Sequence, residues 1–431
     1  MRNSDIVQSW LSSLPPIEAN KQDTPYPIKR SRAFVSPPIS MDRQRSPSKR
    51  RRGDGDDTDM AGHEYPREDA TPRPPRSTRL TDALPSIASS YRTGSSRSSS
   101  PRKQLFGLSN LPEGQGGAEV CTLDIEDERM PAELVDLLLR LEKQAPILDQ
   151  QMRTEFEGHY RATRAAQRWM DPNLYGEERG NIGPTPSPDF VDDIVQQARE
   201  CDRFLLDEGA WSHMVYYPLL RCIFNSRRRA NMDELVVVPC SSASIDPRYR
   251  MAAAPFKKVD FAIAYTPRDA SASNHLRLLM QADPAPDPSL NHTSYLGLCG
   301  RPIALSVEVK RTTDSTDTAK LQLLTWLGSQ WKKLDELFPP PSSQSSSSKQ
   351  PAYILSLLIQ GHDWSLVASS RDSDTKRVLL WHKFPIGDTQ TALGVYKIVQ
   401  KVQELAQIAL VPYCQMFQPV GHGQDINLLE A

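Results

Sequence analysis

Cysteines are few and unpaired in this sequence. Six occur in 431 residues, no two form a C-x-x-C pair, and their spacing is nowhere dense. This distribution argues against a zinc ribbon and against a disulfide framework. A reducing compartment is therefore the expected setting.

Long apolar runs are also missing. No stretch approaches the roughly 18 consecutive apolar residues of a membrane-spanning helix. Near the N-terminus, the apolar stretch from Val7 to Leu14 is broken by Gln8 and by serines, unlike the apolar region of a secretory signal. The sequence predicts a soluble, intracellular protein without a membrane partner.

Hydrophobic residues are scarce as well, and this limits how much of the chain can fold. They make up 38% of the sequence, which also carries 36 prolines. Residues 36–117 consist largely of Ser, Pro, Arg and Asp, and such a segment cannot bury enough apolar surface to offset chain entropy. We predict a disordered tail over residues 1–117, a folded domain over 118–420 and a C-terminal tail over 421–431.

The net charge of −1 hides an uneven distribution. Residues 1–110 contain 19 Lys and Arg against 12 Asp and Glu, so the front of the chain is basic and the remainder mildly acidic. Four basic residues are consecutive at Lys49–Arg52. Such a cluster is typical of a nuclear localisation signal or of a basic arm that contacts phosphates, and also of a solvated charge run in a disordered tail. The nucleus is the predicted location, with the cytoplasm as the alternative.

Hydrophobic periodicity predicts an α/β domain of about 300 residues. The predicted helices span 131–148, 189–206, 209–224, 318–338 and 391–410, with Pro218 bending or splitting the third. The predicted strands span 235–239, 258–265, 303–310, 352–360, 364–370 and 377–384. Residues 266–300 are predicted to form an insertion at a strand end. Hairpins and crossovers between these strands predict a mixed sheet.

One strand places an acid and a base on the same face. Side chains alternate along a strand, so Glu308 and Lys310 point the same way and Val309 points the other way. The same alternation in 258–265 places Asp260 on a face of small residues. We expect the polar face to open onto a cleft. The alternative is an ordinary solvated charge pattern.

Two neighbouring strands of this kind would form a metal site. Asp260 and Glu308 would converge on one divalent cation, with the carbonyl oxygen of Val309 as a third ligand. Mg²⁺ prefers such hard oxygen donors, and Mn²⁺ is the alternative. Lys310 would lie close enough to orient or help deprotonate a water molecule and to offset charge developing on a phosphate.

This arrangement resembles the PD-(D/E)XK nuclease superfamily, in which an Asp ends one strand, Glu-x-Lys lies on the next and a helix follows. Five blocks in order resemble fungal PD-(D/E)XK nuclease-like domain proteins in particular. They are EGAWSHMVYYPLL, KKVDFAIAY, SVEVKR with the following LQLLTWLGSQW, IQGHDWSL and GVYKIVQKVQELA. The resemblance covers residues 119–417. It implies a restriction-endonuclease-like core, with a mixed central sheet flanked by helices and preceded by the disordered tail.

The resemblance also implies roles for individual residues. Asp260 and Glu308 are the implied metal ligands, and Lys310 is the implied catalytic lysine. Gln322 matches a position at which related nucleases often carry a glutamine near the active site, and the alternative is that it only caps or packs. Glu208 loosely matches an acid on an early helix.

The sequence departs from the family pattern in two places. Val259 stands where the family name has proline, a position that does no chemistry. The interval between Asp260 and Glu308 is long, so residues 266–300 must loop out of the sheet. His362 and Asp363 are interpreted as a hairpin turn rather than as site residues.

Three functions fit these observations. The first is a Mg²⁺-dependent phosphodiesterase acting on DNA, with RNA as the alternative substrate. The second is a nuclease-fold domain that binds nucleic acid or protein without cutting, and the third is a scaffold whose basic tail recruits partners. The presence of Asp260, Glu308 and Lys310 favours the phosphodiesterase. Basic residues of the folded part are too scattered in sequence to define a nucleic-acid-binding patch.

Overall fold

The computed structural model describes residues 100–112, 114–143, 145–224, 234–251, 258–339, 350–372 and 374–419. The Lys49–Arg52 cluster, residues 1–99 of the predicted N-terminal tail and the predicted C-terminal tail at 421–431 lie outside these residues. The description below therefore concerns the folded domain.

A mixed sheet of seven strands is the central element of the described chain. Its strands are β1 (Ala118–Thr122), β4 (Leu235–Pro239), β5 (Phe261–Tyr265), β6 (Ile303–Lys310), β7 (Tyr353–Gln360), β8 (Asp363–Arg371) and β9 (Val378–Asp388). Their spatial order is β1-β9-β8-β7-β6-β5-β4. The β1–β9 and β6–β7 pairs are parallel and the other pairs antiparallel. Two short strands, β2 (Leu148–Asp149) and β3 (Tyr175–Gly176), pair separately.

Helices cover both faces of this sheet. The α-helices are α1 (Pro101–Ser109), α2 (Ala132–Glu142), α3 (Arg153–Tyr160), α4 (Ala166–Trp169), α5 (Arg179–Ile182), α6 (Pro188–Arg203), α7 (Glu208–Trp211), α8 (Tyr217–Phe224), α9 (Ala270–Gln281), α10 (Thr316–Leu337), α11 (Ala392–Leu405) and α12 (Val411–Gln415). One-turn 3₁₀ helices lie at Gln150–Met152, Pro172–Leu174 and Pro247–Tyr249, and π-helical turns at Ser212–Tyr216 and Ala406–Leu410. None of the helices in the described ranges is long and apolar enough to cross a bilayer.

The predicted α/β fold with a mixed sheet is confirmed. β4 and β6 have the predicted bounds, and β7 and β8 form the predicted hairpin, with Gly361 and His362 in its turn. The parallel pairing of β6 with β7 requires a crossover, and α10 supplies it. Pro218 lies in the first turn of α8, directly after the π-helical turn that divides the predicted third helix.

The predicted tail boundary is wrong for the residues just before β1. Residues 101–109 form α1, which begins with Pro101 in its first turn and buries Leu108. The guanidinium of Arg377 donates hydrogen bonds to the carbonyl oxygens of Ser109 and Leu111, at 2.7 and 2.6 Å. A short amphipathic segment therefore becomes ordered through tertiary contacts that local composition does not reveal.

Two further element predictions need correction. The first predicted helix ends at Glu142 rather than at Leu148, because Leu148 belongs to β2. The 266–300 insertion is not purely a loop, since it contains α9 with Leu276 buried. The insertion nevertheless leaves and re-enters the sheet between β5 and β6, as the spacing of Asp260 and Glu308 requires.

Candidate active site

An ion pair lies at the end of β6. The Nζ atom of Lys310 is 2.6 Å from Oε1 of Glu308 and 2.7 Å from the carbonyl oxygen of Val309. Glu308 is fully buried and Lys310 is 7% exposed. The acid and base that the alternation of β6 places on one face therefore contact each other directly.

The expectation that the polar face of β6 opens onto a cleft is wrong. All eight residues of the strand are buried, because β6 lies between β5 and β7 and helices cover both faces. On the polar face, the indole N–H of Trp326 in α10 donates a 2.9 Å hydrogen bond to Oγ of Ser306. On the other face, Tyr217 stacks on Phe261, the residue that pairs with Val307.

Asp260, the residue that precedes β5, contacts the same end of β6. Its backbone N–H donates to the carbonyl oxygen of Val307 at 3.0 Å, and its Oδ2 accepts a 2.9 Å hydrogen bond from the N–H of Val309. Because Phe261 pairs with Val307, Asp260 lies on the same face of the sheet as Glu308. The structure therefore brings together the two carboxylates that the sequence predicts as metal ligands.

A third carboxylate joins this group from the helical side. Glu208 is the first residue of α7, whose N-cap Asp207 accepts a hydrogen bond from the N–H of Ala210. Oε2 of Glu208 lies 3.5 Å from Nζ of Lys310, and the Glu208 side chain is 36% exposed. The accessible side of the site is therefore formed by Glu208 and by the half-buried Asp260.

Burial and mutual repulsion dominate the electrostatics of the site. Burial raises the pKa of Asp260 to about 6, against the effect of the Val309 N–H hydrogen bond. Burial also raises the pKa of Glu308 well above its usual range, and the charge on Asp260 adds to this. Burial lowers the pKa of Lys310, but the neighbouring carboxylates raise it by more. Glu308 makes the largest of these contributions. The site therefore contains one ammonium group, that of Lys310, and three carboxyl groups.

Gln322 approaches the site indirectly. It lies in the second turn of α10, and its Nε2 donates a 3.2 Å hydrogen bond to the carbonyl oxygen of Lys258, two residues before Asp260. This contact ties α10 to the segment that carries Asp260. The geometry is that of a residue that positions the segment.

The end of β6 is held by two residues that pattern reading does not identify. The N–H of Gly361 donates to the carbonyl oxygen of Lys310 at 2.9 Å, and the hydroxyl of Tyr216 donates to the carbonyl oxygen of Gly361 at 2.8 Å. Gly361 has a φ of 56°, and a Cβ there would collide with Oγ1 of Thr312. A glycine in a hairpin turn is the available sequence signal, but its link to Lys310 exists only in three dimensions. His362 and Asp363 form the turn and the start of β8, as interpreted.

The donor atoms of this site fit a hard divalent cation. Among residues that the structure describes, no cluster of three or more His, Cys, Asp or Glu side chains could hold a metal ion. The set at β6 is different, since it combines two carboxylates with a backbone carbonyl. Oε2 of Glu308 is buried without a hydrogen-bond partner in the described chain, while Oε1 contacts Lys310. A buried carboxylate oxygen without a partner is costly unless a cation or proton satisfies it, and Mg²⁺ prefers oxygen ligands.

A family model matches most of the described chain. The model, described as PD-(D/E)XK nuclease superfamily, matches residues 155–414, which include every strand from β4 to β9 and the whole carboxylate cluster. The chain belongs to the PD-(D/E)XK nuclease superfamily. Members of this superfamily generally use divalent metals. Neither curated proteins nor solved structures gave a match to the chain.

Proposed function

We propose that this superfamily member is a metal-dependent nuclease that hydrolyses phosphodiester bonds, with DNA as substrate and Mg²⁺ as the cation. The observation that carries the proposal is the convergence of Asp260, Glu308 and Lys310 at the end of β6. RNA is the alternative substrate and Mn²⁺ the alternative cation. The five sequence blocks also support the narrower assignment to the fungal nuclease-like proteins.

The cation would be held by the carboxylates of Asp260 and Glu308 and by the carbonyl oxygen of Val309. When bound, a divalent cation supplies Lewis-acid polarisation of a phosphate and stabilises negative charge that builds on it. Glu308 contributes a buried charge with one oxygen free of protein hydrogen bonds in the described chain. Asp260 contributes Oδ1, because its Oδ2 already accepts the Val309 N–H.

Lys310 would act as a charged donor. Its pKa is raised by the neighbouring carboxylates, so its ammonium keeps its protons at neutral pH. An ammonium stabilises a phosphate whose negative charge increases in the transition state, and it orients an attacking water through a hydrogen bond. Proton abstraction from that water is a poorer role for a lysine with a raised pKa.

A second candidate is a nuclease-fold module that binds nucleic acid or protein but does not cut. One observation favours it. Lys310 already contacts one of the three oxygen atoms assigned to the cation, the carbonyl oxygen of Val309, as well as the other carboxylate oxygen of Glu308, and Glu308 has no exposed surface. A cation would have to move the ammonium away from Val309.

The deciding experiment measures cation binding and cleavage separately. Wild-type protein, Asp260→Asn, Lys310→Met and the control Asp363→Asn are titrated with Mg²⁺ and Mn²⁺ by calorimetry. They are then assayed on single-stranded DNA, duplex DNA and RNA. Asp363 is an exposed acid at the same sheet edge, so its variant controls for loss of charge.

We expect Asp260→Asn to weaken both cation binding and cleavage, because one of two carboxylate ligands is lost. We expect Lys310→Met to keep cation binding and to lose cleavage by two or more orders of magnitude, roughly the effect of removing an electrostatic stabiliser. Cleavage that survives both substitutions would overturn the assignment of the site. A wild-type protein that binds the cation but cuts no substrate would favour the second candidate.

Nuclear location is part of the proposal. It is supported by the Lys49–Arg52 cluster, which has the composition of a nuclear localisation signal. A nuclear DNA substrate is compatible with that location.

A further inference from the structure

A groove lined by arginines lies between three helical segments on the side of the sheet that carries α6. It is formed by the segment from the end of α3 through α4, by α6 and by the first turn of α11, and its volume is about 530 Å³. Among its lining residues, Tyr160 and Trp169 are buried and are called the floor, and Arg168 and Arg199 are exposed and are called the rim. We call this feature the arginine groove.

The rim arginines are available to a ligand. Arg168 and Arg199 are exposed, and neither forms a salt bridge with any residue in the described ranges. Arg161 and Arg164, in the loop that precedes α4, are exposed as well. The mildly acidic folded domain thus has a local concentration of basic side chains at this groove.

The acidic residue that lines the groove is already engaged. Oδ1 of Asp192 accepts a 3.0 Å hydrogen bond from the hydroxyl of Tyr160, and Oδ2 lies 2.9 Å from Nε2 of His159. These contacts hold the carboxylate against the floor and the neighbouring helix. The lining contains this one acid against two arginines, so the positive charge of the rim is only partly offset.

The start of α11 adds a favourable field for an anion. Thr391, Ala392 and Leu393 line the groove, and Thr391 caps the helix by accepting a hydrogen bond from the N–H of Gly394. α11 has 14 residues, and the N-terminus of such a helix carries about half a positive charge. The groove therefore combines two free guanidinium groups with a helix N-terminus.

The floor indicates which part of a ligand is recognised. Tyr160 and Trp169 stack on each other, with centroids 4.1 Å apart and planes 10° apart, and they are only 4% and 3% exposed. Rings that are buried against each other leave little face for a base to stack on. Charge on the rim, rather than base stacking, is the recognition element.

Hydrogen bonds link the arginine groove to the candidate active site. The carbonyl oxygen of Lys310 accepts from Gly361, and the carbonyl oxygen of the next residue, His362, accepts from the N–H of Thr389 at 3.0 Å. Thr389 is two residues from Thr391 in the groove. β6 and β9 are three strand spacings apart at this edge of the sheet, roughly 14 Å. A nucleic acid bound at the end of β6 would therefore lie near the turn at Thr389 that leads into the groove.

We propose that the arginine groove binds backbone phosphates of the nucleic acid whose scissile bond lies at β6. The inference rests on the proposed function, because it assigns a second contact to the same substrate. Arg168 and Arg199 pair with phosphate oxygens, and the α11 N-terminus stabilises a third negative charge. Binding through these groups is independent of base sequence and sensitive to salt.

The test is a binding measurement that does not require cleavage. Fluorescence anisotropy with a labelled DNA duplex is recorded without divalent cation over a range of NaCl concentrations. Every protein is the full chain with Lys49–Arg52 replaced by Ala, so that tail charges do not mask the groove. The double variant Arg168→Ala/Arg199→Ala is compared with the control Arg277→Ala/Arg301→Ala, which removes two exposed arginines outside the groove.

We expect the groove variant to bind about tenfold more weakly at 100 mM NaCl. Loss of two phosphate contacts should also reduce the slope of log Kd against log salt by about 1.8. The control variant should match the parent in affinity and slope, and circular dichroism melting should match for all three. Equal affinity and slope for the groove variant and the parent would overturn this inference while leaving the nuclease proposal standing. A parent that binds no nucleic acid would also overturn this inference, whereas the nuclease proposal is decided by the cleavage assay with the cation present.

Discussion

Removing the ammonium of Lys310 tests the buried ion pair most directly. Lys310→Met keeps an unbranched apolar stem of similar length and deletes the charge. The ammonium lies 2.6 Å from Oε1 of Glu308, and the two side chains are 9% and 0% exposed. Few surface effects therefore complicate the comparison.

The magnitude follows from this geometry. At an effective dielectric constant of about 20, two charges this close attract by about 6 kcal/mol, most of which offsets the cost of removing both from water. Deleting one partner leaves the other charge buried without compensation, which typically costs about 3–5 kcal/mol. Glu308 can avoid this cost by binding a proton, because burial already raises its pKa. The loss of stability must therefore depend on pH.

The sign of that dependence is set by the folded-state pKa. Glu308 has a pKa above its unfolded value of 4.5, so its protonation stabilises the folded state at low pH, and this contribution is lost as pH rises. Without Lys310 the folded pKa rises further, because the charge that lowers it is gone. The variant should therefore lose stability relative to wild type as pH rises, by up to about 1.4 kcal/mol per pH unit.

Urea unfolding at pH 5, 6, 7 and 8 measures this effect. Wild type, Lys310→Met, Glu308→Gln and the double variant form a cycle, and Lys397→Met serves as an exposed-lysine control. The double variant should be more stable than the sum of the single effects predicts, by about 1–3 kcal/mol. A Lys310→Met variant that loses less than about 1 kcal/mol at every pH would refute the buried pair, since that is the cost of an exposed charge.

Three other outcomes are expected. Burial would raise the pKa of Asp283, but hydrogen bonds from Arg248 outweigh it and hold this pKa well below its usual range. Asp283→Asn should therefore lower the unfolding free energy at pH 7 by about 1–3 kcal/mol. In urea titrations this difference should shrink as pH falls below 4. Replacing Lys49–Arg52 with Ala in a fluorescent fusion should move the protein from nucleus to cytoplasm, and an unchanged nuclear signal would contradict the localisation proposal. Removing residues 1–117 should lower the melting temperature more than removing residues 1–99, because only the longer truncation deletes the packed helix α1; equal melting temperatures would contradict its packing role.

Much of the fold is predictable because its signals are local. The period-two run of β6, the hairpin between β7 and β8 and the apolar stripe of α11 are each encoded within a few residues. α1 and α9 are not predictable in this way, because α1 becomes ordered through contacts with distant residues such as Arg377 and α9 lies in a polar insertion.

Some features of the candidate site are likewise local in the sequence, and others are not. Alternation in β6 places Glu308 and Lys310 on one face, and the motif they form with Asp260 is a local sequence signal of the superfamily. Burial of that face is not predictable from the strand itself, because it depends on β6 lying inside the sheet under α10.

By itself, the sequence determined the strand and helix periods, the family motif and the identity of the charged residues, since each depends on neighbours in the chain. The three-dimensional arrangement was needed to establish that Glu208, a loose family match, lies 3.5 Å from Lys310, that Lys310 is paired and buried, and that Arg168 and Arg199 line one groove. Sheet order and helix packing bring together residues far apart in the chain. The dielectric environment and charge partners that result control ionisation and ligand access, and neither is encoded in a local pattern.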